Sequence, residues 1–324
     1  MTDVEVSVTM ITYNHEKYIR QALDSVFMQK TSFNFEVIVS EDASPDNTRS
    51  ILLEYKEKYG DKLVLNLQEK NVGASKNSLS GRQLARGKYL VSLEGDDFWT
   101  DENKLQKQYD ILENHPEYSA VCCNFMHVSS EGEVIKDNVL GLKEDCVKTM
   151  DDWFRDGYSL HTCTVFRRNI FGESSERYIK LRSVAPTMGD AITFTLLYDA
   201  GDIYVLKDVM AAHRIAGSKD TTSFSFSQRK KAIKYTYMYI NIYDALEEYL
   251  DGKYDFSQRK ANRIAAVKLG KLKGEIEYSS KEMRELMKKQ TPKVRILTYC
   301  KLIRMAGKKA FKKVRRTVNE NNKG

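Results

Sequence analysis

Strand-like and helix-like segments alternate along the first hundred residues of this chain. Valines alternate with polar residues from Val4 to Met10, which is the period of a β-strand. Further runs of strand length follow at residues 35–40, 63–67 and 88–93. Segments with helical spacing separate them at residues 14–27, where Asn14 is expected to cap the helix, and at residues 48–59 and 77–85. This order predicts βαβ units, a mostly parallel sheet and helices on both of its faces.

The pattern changes after Glu113. We expect a strand at residues 119–128, a hairpin turn at "SSEGE" (129–133) and a short helix at 150–155. A second strand at 159–168, a longer helix at 189–201 and one or two closing strands at 202–215 should follow. From Ser227 onward the spacing is almost wholly helical. The sequence therefore predicts an α/β domain over residues 1–225 and a helical C-terminal region over residues 226–324.

Composition limits the compartment in which such a chain works. Apolar residues make up 41% of the sequence, which is enough for a packed core. The first residues lack the pattern of a signal peptide, and no apolar stretch is long enough to span a membrane. The five cysteines form no C-x-x-C pair, which favours free thiols over a disulfide framework or a zinc site. We expect a cytoplasmic protein.

Positive charge is concentrated at the C-terminal end. The chain carries a net charge of +7, while residues 291–324 hold 11 Lys and Arg against one Glu. The rest of the chain is therefore mildly acidic, which argues against nucleic acid as a partner. In the stretch "VRILTYCKLIRMAGKKAFKKVRR", apolar residues share one helical side and cations crowd the others. Such a helix is suited to an anionic membrane surface, and the alternative is a helix that packs on the protein.

Carboxylates cluster directly after the fourth predicted strand, in "SLEGDDFW". Glu94, Asp96 and Asp97 lie within four positions, and two other polar stretches, "TYN" and "SEDAS", follow the first and second strands. Ligands bind at the carboxyl ends of parallel strands, so the three stretches should share one crevice. Clustered carboxylates repel one another unless a cation neutralises them, and hard divalent ions take such oxygen ligands. The alternative is a solvated turn that caps the next helix, for which Asp101 alone would suffice.

Three stretches, "VSVTMITYNHEKYIRQALDSVFMQ", "EVIVSEDASPDNT" and "NVGASKNSLSGRQLARGKYLVSLEGDDFW", together resemble the nucleotide-binding half of family 2 glycosyltransferases, which are inverting enzymes of the GT-A fold. A further match lies at "MGDAITFTLLYDAGDIYVLKDVMAAHRIAG", so the resemblance covers roughly residues 4–220. It implies a GT-A-type, mostly parallel nucleotide-binding sheet between helices, followed by a helical extension.

The resemblance assigns a group of residues to the donor nucleotide. Tyr13 would offer its ring for stacking on the base, while Glu41 and Asp42 would accept hydrogen bonds from uracil N3–H and ribose. Lys76 and Arg82 are alternatives for one basic position, and Arg214 would clamp the diphosphate. The full donor set is Thr12, Tyr13, Asn14, Glu41, Asp42, Lys76, Arg82, Glu94, Asp97 and Arg214.

The resemblance also implies a metal site and a catalytic base. Glu94-Gly95-Asp96 matches the D-x-D motif, so Asp96 would ligate Mn²⁺ or Mg²⁺ and Asp97 would lie beside the sugar. His213 would contact the metal ion or the diphosphate. Because Glu94 is one methylene longer than the usual Asp, we expect it to contact ribose or a metal-bound water. Asp190 matches the acid that deprotonates the acceptor hydroxyl, and its alternative is an ordinary acid favoured by the helix dipole.

Three further residues are candidates for the acceptor side. Trp99 and Trp153 would provide stacking faces for a sugar or would be core aromatics, and His161 would face the acceptor or pack in a strand. The remaining histidines, His15, His115 and His127, are expected to be surface or core residues.

The resemblance thus predicts a metal-dependent inverting glycosyltransferase. It would move a hexose from a nucleotide diphospho-sugar, with UDP as the expected nucleotide, to a glycan or a lipid-linked acceptor in cell-surface polysaccharide synthesis. Peripheral binding to the inner face of the plasma membrane through residues 291–324 would suit a lipid-linked acceptor. The alternatives are a catalytically inactive nucleotide-sugar-binding module and a sugar nucleotidyltransferase; the latter is disfavoured because "TMITYNHEKY" lacks a glycine-rich phosphate loop.

Overall fold

A computed structural model describes residues 4–156, 160–172, 174–184, 189–215, 231–272, 276 and 278–305. The chain divides into two compact units, residues 1–219 and 220–324. The predicted boundary near residue 225 and the basic end of the chain, residues 306–324, lie outside the described residues.

The first unit contains one mixed sheet with helices packed against it. Its described strands are β1 (Val6–Thr12), β2 (Phe35–Glu41), β3 (Leu63–Leu67), β4 (Tyr89–Glu94), β5 (Phe98–Trp99), β6 (Tyr118–Val128), β7 (Val134–Lys136), β8 (Cys146–Lys148), β9 (Phe166–Arg168) and β10 (Asp202–Arg214). Its described helices are α1 (Ile19–Phe27), α2 (Thr48–Tyr59), α3 (Ala74–Arg82), α4 (Lys104–Asn114), α5 (Met150–Asp156), α6 (Glu176–Ser183) and α7 (Gly189–Ala200).

The strand order is β3-β2-β1-β4-β9-β6-β10-β5, with β7 and β8 pairing at β6 and β10. The first four strands are parallel, β9 runs antiparallel to β4 and β6, and β6 and β10 are parallel. The α/β fold predicted from the sequence is confirmed. The parallel half places the ends of β1, β2 and β4 at one edge, because neighbouring parallel strands end on the same side.

The core lies against the parallel half of the sheet. Val8 and Val37 are fully buried, as are Leu23 of α1 and Leu52 of α2. β1 and β2 are buried along almost their whole length, as expected for parallel strands covered by helices on both faces. This core fixes the strand ends from which the polar loops extend.

Two local predictions were wrong. Asn14 does not cap α1, which begins at Ile19; instead Asn14 has a φ of 60°, and its N–H donates to Ser44 Oγ at 3.0 Å. Asparagine tolerates this left-handed conformation better than most residues, and it turns the chain out of β1. The strand predicted at residues 159–168 is shortened to β9, because residues 162–164 form a 3₁₀ turn capped by the side chain of His161.

The described part of the second unit is helical, as predicted. Its helices are α8 (Ala232–Tyr249), α9 (Ser257–Leu272), α10 (Ser280–Lys288) and a helix over residues 292–305. Ser279 and Glu282 form a capping box at the start of α10, and Ile240, Ile264 and Leu286 lie in the unit's own core. Within the described ranges, none of the helices is both long and apolar enough to traverse a bilayer.

Candidate active site

The acidic turn follows β4 directly and packs against β1. Gly95 N donates to Ile11 O at 2.9 Å, and Asp97 N donates to Glu94 O at 3.0 Å. A Cβ on Gly95 would lie 2.8 Å from Thr12 Oγ1 and 2.9 Å from His15 Nδ1. Because such distances are too short for real contacts, a glycine is required here to let the turn approach β1. The turn therefore projects Asp96 and Asp97 beside the end of β1.

Arg214, the last residue of β10, holds this turn in place. Its N–H donates to Asp97 Oδ1 at 2.8 Å, and its Nε donates to Asp96 O at 2.9 Å. The guanidinium also donates to Gln21 Oε1 at 2.9 Å and lies 4.4 Å from the centre of the Tyr18 ring. Arg214 is buried, so these contacts define a positioning role. Its contact with a diphosphate stays a prediction.

Four of the five histidines in the sequence surround the acidic turn. The rings of His161 and His213 stack with centroids 3.8 Å apart, and His127 contacts His213 edge-on at 5.3 Å. On the other side, His15 Nε2 lies 3.9 Å from Asp96 Oδ2. His15 and His127 were expected to be surface or core residues. The cluster joins four separate segments, and the register of β6 on β10, which pairs His127 with His213, is not visible in the sequence.

Asp97, His161 and His213 form a group able to hold a metal ion. Their ligand atoms lie within 4.8 Å of one another, and His161 Nδ1 is 3.6 Å from Asp97 Oδ2. A histidine ligates in the plane of its ring, and the two stacked rings, inclined by 20°, do not aim at one atom. Ligation by both would therefore need one ring to rotate about χ2, which is a soft torsion.

Burial and mutual repulsion dominate the electrostatics of the site. Burial, followed by the charges of Asp96 and Asp190, raises the pKa of Glu94 to about 8. Burial and the neighbouring Asp96 and Glu94 hold the pKa of Asp97 well above its usual range. Burial lowers the pKa of His161 to about 4, and burial together with His161 and His127 lowers that of His213 to about 3. Neutral imidazoles beside crowded carboxyls are suited to ligating a cation.

The polar atoms left without a partner fit the same interpretation. Among the described residues, several buried side-chain atoms around the turn have no hydrogen-bond partner: Thr12 Oγ1, His15 Nδ1, Asp96 Oδ1, Asp97 Oδ2 and His213 Nδ1. Unsatisfied buried groups are costly, so their concentration at one point indicates a site built for a ligand. Carboxylate oxygens and imidazole nitrogens together suit a divalent ion such as Mn²⁺.

Asp190 lies in the first turn of α7, and its charge contributes to the raised pKa of Glu94. The preceding residue, Gly189, leaves no room for a side chain. The guanidinium of Arg182 occupies the space that a Cβ of residue 189 would fill, and its Nη1 donates to Gly189 O at 2.7 Å. Arg182 was not found from the sequence, because its burial depends on the packing of α6 against the start of α7.

The two acids at the carboxyl end of β2, Glu41 and Asp42, hold neighbouring loops in place. The Glu41 carboxylate accepts from Ser44 N and from Arg49 Nε, the latter at 2.6 Å. The Asp42 carboxylate accepts from Val72 N at 2.7 Å and from Gly73 N at 2.9 Å. Both acids are buried, so they order the loops on either side of the predicted base pocket. Their contacts with uracil and ribose stay predictions.

The other donor candidates differ in exposure. Thr12 is buried, whereas the Tyr13 side chain is 44% exposed and available for stacking. On α3, Lys76 is exposed and Arg82 is buried. Lys76 and Arg82 stay the two predicted alternatives for the contact with phosphate.

The two tryptophans proposed for the acceptor side are core residues in the structure. Trp99 is 1% exposed and its Nε1 donates to Cys163 O at 3.0 Å, while Trp153 is 2% exposed and stacks with Tyr198. Neither ring presents a face to a sugar, because each is covered by the core. His161 likewise lies within the histidine cluster, where it contacts Asp97 and His213.

The mixed sheet with its acidic turn at the carboxyl end of β4 matches the GT-A fold that the sequence resemblance implies. The model of glycosyl transferase family 2 matches residues 7–174, which are 168 of the 324 residues. The chain belongs to this family.

Related sequences match a little over a third of this chain. An uncharacterised protein of Mycobacterium tuberculosis is 43% identical over 126 residues, which cover 39% of this chain and 36% of that protein. The UDP-Glc:alpha-D-GlcNAc-diphosphoundecaprenol beta-1,3-glucosyltransferase WfgD of Escherichia coli is 35% identical over 112 residues, covering 35% and 42%. The matched stretches thus span well under half of these relatives.

Among solved structures, TarS residues 1–349 of S. aureus in complex with UDP matches with a TM-score of 0.58 at 17% identity, covering 89% of this chain and 76% of that one. The same protein in complex with UDP-GlcNAc matches with a TM-score of 0.55 at 17% identity, covering 91% of each chain. At this identity the likeness establishes the fold alone.

Proposed function

We propose that this protein is an inverting glycosyltransferase that moves a hexose from a UDP-sugar to a saccharide or lipid-linked saccharide in cell-surface polysaccharide synthesis. The observation that carries the proposal is that the Asp96–Asp97 turn contacts the histidine cluster, while Asp190 at the start of α7 lies near enough to Glu94 to help raise its pKa. Membership of family 2 supplies the reaction class. The fold shared with UDP-bound TarS and the lipid-linked acceptor in the name of WfgD support the donor and acceptor classes.

The residues of the turn fit a divalent ion, which we propose to be Mn²⁺ or Mg²⁺. Asp96, Asp97 and His213 would hold it, and bound there it would neutralise the charge of the diphosphate leaving group. Arg214 keeps both aspartates in position through its hydrogen bonds to Asp97 Oδ1 and Asp96 O. Imidazole at such a site favours Mn²⁺ over Mg²⁺, which prefers oxygen ligands.

Asp190 is proposed to act as the general base. Inversion requires the acceptor hydroxyl to attack the anomeric carbon from the face opposite the leaving nucleotide, and the carboxylate would accept the hydroxyl proton. Arg182 fixes the backbone at Gly189 and so positions the neighbouring Asp190. Tyr13, Asn14 and Thr12 are proposed to bind the nucleobase at the end of β1, with Glu41 and Asp42 beside it.

We expect the full chain, supplied with Mn²⁺, to release UDP from one UDP-sugar faster than from others. The donors to compare are UDP-glucose, UDP-galactose, UDP-N-acetylglucosamine and UDP-N-acetylgalactosamine, with UDP release as the measurement. EDTA should abolish the release and added Mn²⁺ should restore it, because the crowded carboxylates need a cation to accept a diphosphate. Release that continues unchanged in excess EDTA would contradict the metal-dependent mechanism.

The same assay separates the alternatives. A catalytically inactive binding module would bind UDP in calorimetry but release none from any donor. A sugar nucleotidyltransferase would instead form pyrophosphate from UTP and a sugar 1-phosphate. Either result would overturn the proposed transfer.

We also propose that the C-terminal segment binds an anionic membrane surface. In the helix over residues 292–305, Val294 and Thr298 are buried, whereas Ile296, Tyr299 and Ile303 are 63%, 54% and 71% exposed. Only part of the apolar face predicted from the sequence packs on the protein. Leu297 packs against the unit's core, whereas Ile296, Tyr299 and Ile303 form an exposed stripe. The exposed stripe precedes the cationic residues 306–324 and would insert among acyl chains.

The full chain should sediment with vesicles containing phosphatidylglycerol at low salt and dissociate at high salt. Each cation near such a surface contributes about 1 kcal/mol, so a chain ending at Met305, which loses seven Lys and Arg, should bind much more weakly. Ile296→Ser with Ile303→Ser should reduce binding without removing charge, and Lys281→Ser on α10 is the exposed control. If the shortened chain sediments as well as the full chain, the tail is not the anchor.

A further inference from the structure

The helical unit contains a cavity that the proposed chemistry does not use. It has a volume of about 520 Å³ and is lined by one face of α8, the start of α9 and the corner that follows α10. Tyr237, Asn241 and Asp244 of α8, Lys260 of α9, and Gln290 are among its lining residues. This volume lies within the range of about 300–1,000 Å³ that is typical of small-molecule sites.

Most charges in the lining are paired with one another. Lys260 is only 6% exposed, and its Nζ lies 2.6 Å from Asp244 Oδ1 and 2.8 Å from Glu247 Oε2. Asp255 pairs with Lys293, whose Nζ is 2.5 Å away. The other lining cation, Lys289, lies 5.2 Å from the centre of the Tyr237 ring, and the lining holds more carboxylates than cations, so the cavity offers little attraction to a phosphate or another polyanion. The pairing of Asp244, Glu247 and Asp255 likewise leaves little attraction for a polycation.

The groups of the lining that can hydrogen-bond to a ligand are mainly uncharged amides. Asn241 is exposed, and its side-chain amide makes no hydrogen bond to another of the described residues. Gln290 is 7% exposed. Its side-chain Nε2 donates to Leu286 O at 3.1 Å, which leaves the side-chain oxygen Oε1 to accept a hydrogen bond. The second carboxylate oxygen of Asp244 is also available as an acceptor, since Lys260 contacts Oδ1. Amides that donate and accept beside a carboxylate acceptor complement vicinal hydroxyl groups.

We propose that this cavity is a binding site for a neutral saccharide chain, separate from the donor site. Sugar hydroxyls would donate to Asp244 and Gln290 and would accept from the Asn241 amide. The inference rests on the proposed function only for the presence of a saccharide substrate, and it deepens that function by giving the helical unit a role in holding a glycan. No transfer step is needed for the binding itself.

The test is isothermal titration of the full chain with three neutral probes: maltotetraose, cellotetraose and chitotetraose. At least one should bind saturably, and Asn241→Ala should weaken that binding by roughly tenfold, since it removes hydrogen bonds to the ligand. Asn241→Trp should abolish the binding by filling the cavity. Lys234→Ala, at an exposed position of α8 outside the lining, is the matched control, and all variants should keep the wild-type melting temperature.

The outcomes separate this inference from the proposed function. Binding that is weakened in Asn241→Ala, lost in Asn241→Trp and kept in Asp190→Asn supports the cavity, whether or not any donor is turned over. Absence of binding for all three probes, or binding unchanged by Asn241→Trp, overturns the inference while UDP release can still establish the transferase. Loss of binding in Asp190→Asn alone would place the saccharide in the active site and would also overturn it.

Discussion

Asp96→Ala should lower sugar transfer by about 10³-fold or more, because it removes a carboxylate at the point where the diphosphate charge must be neutralised. Asp96 stands in the turn fixed by Gly95 and Arg214, and its buried Oδ1 has no partner among the described residues. UDP affinity measured by calorimetry should fall in Mn²⁺ and should no longer respond to the metal. Transfer and Mn²⁺-dependent UDP binding are the two measurements.

Asp101→Ala is the matched control for this variant. Asp101 lies five positions further along the same segment, where it pairs with Lys107 at 2.7 Å and accepts from Asn103 N at 2.8 Å. Its loss should leave transfer within a few-fold of wild type, because Asp101 pairs with Lys107 and makes none of the contacts that hold the acidic turn or the histidine cluster. Equal losses in the two variants would mean that Asp96→Ala acts through folding of the turn and would contradict its role at the metal.

The parts of the site that could be predicted from the sequence are those fixed by local pattern. Strand periodicity located the ends of β1, β2 and β4, and polar residues at such ends must share an edge of a parallel sheet. Gly95 and the acids around it could therefore be assigned before any contact was known. Asp190 needed the family resemblance as well, since an acid in the first turn of a helix is common without catalysis.

The parts that could not be predicted depend on contacts between distant segments. His15, His127, His161 and His213 come from four segments, and no local spacing marks them as one cluster. Arg182 is recognisable only once α6 packs against the start of α7, where its guanidinium excludes a side chain at residue 189. The same limit applies to Trp99 and Trp153, because aromatic residues near a site and in a core have the same sequence signature.

Asp190→Asn should lower transfer by about 10²-fold or more while the affinity for UDP stays near that of wild type, because the amide keeps the size of the carboxylate but cannot accept the acceptor's proton. Single-turnover transfer and UDP calorimetry measure the two effects separately. Asp199→Asn, near the other end of α7, is the control for removing a charge from this helix, and it should transfer at close to the wild-type rate.

Glu94 is the alternative candidate for the general base, and its pKa is raised in part by the charge of Asp190. Removing the charge of Asp190 lifts one cause of the raised pKa of Glu94, so Glu94 should hold its proton less tightly in Asp190→Asn. If Glu94 were the base, Asp190→Asn would retain transfer and shift its pH profile towards lower pH, while Glu94→Gln would lose transfer. If Asp190 is the base, transfer stays low across the pH range in Asp190→Asn. A variant that instead loses UDP binding would show that Asp190 contacts the donor, and the proton would then need another acceptor.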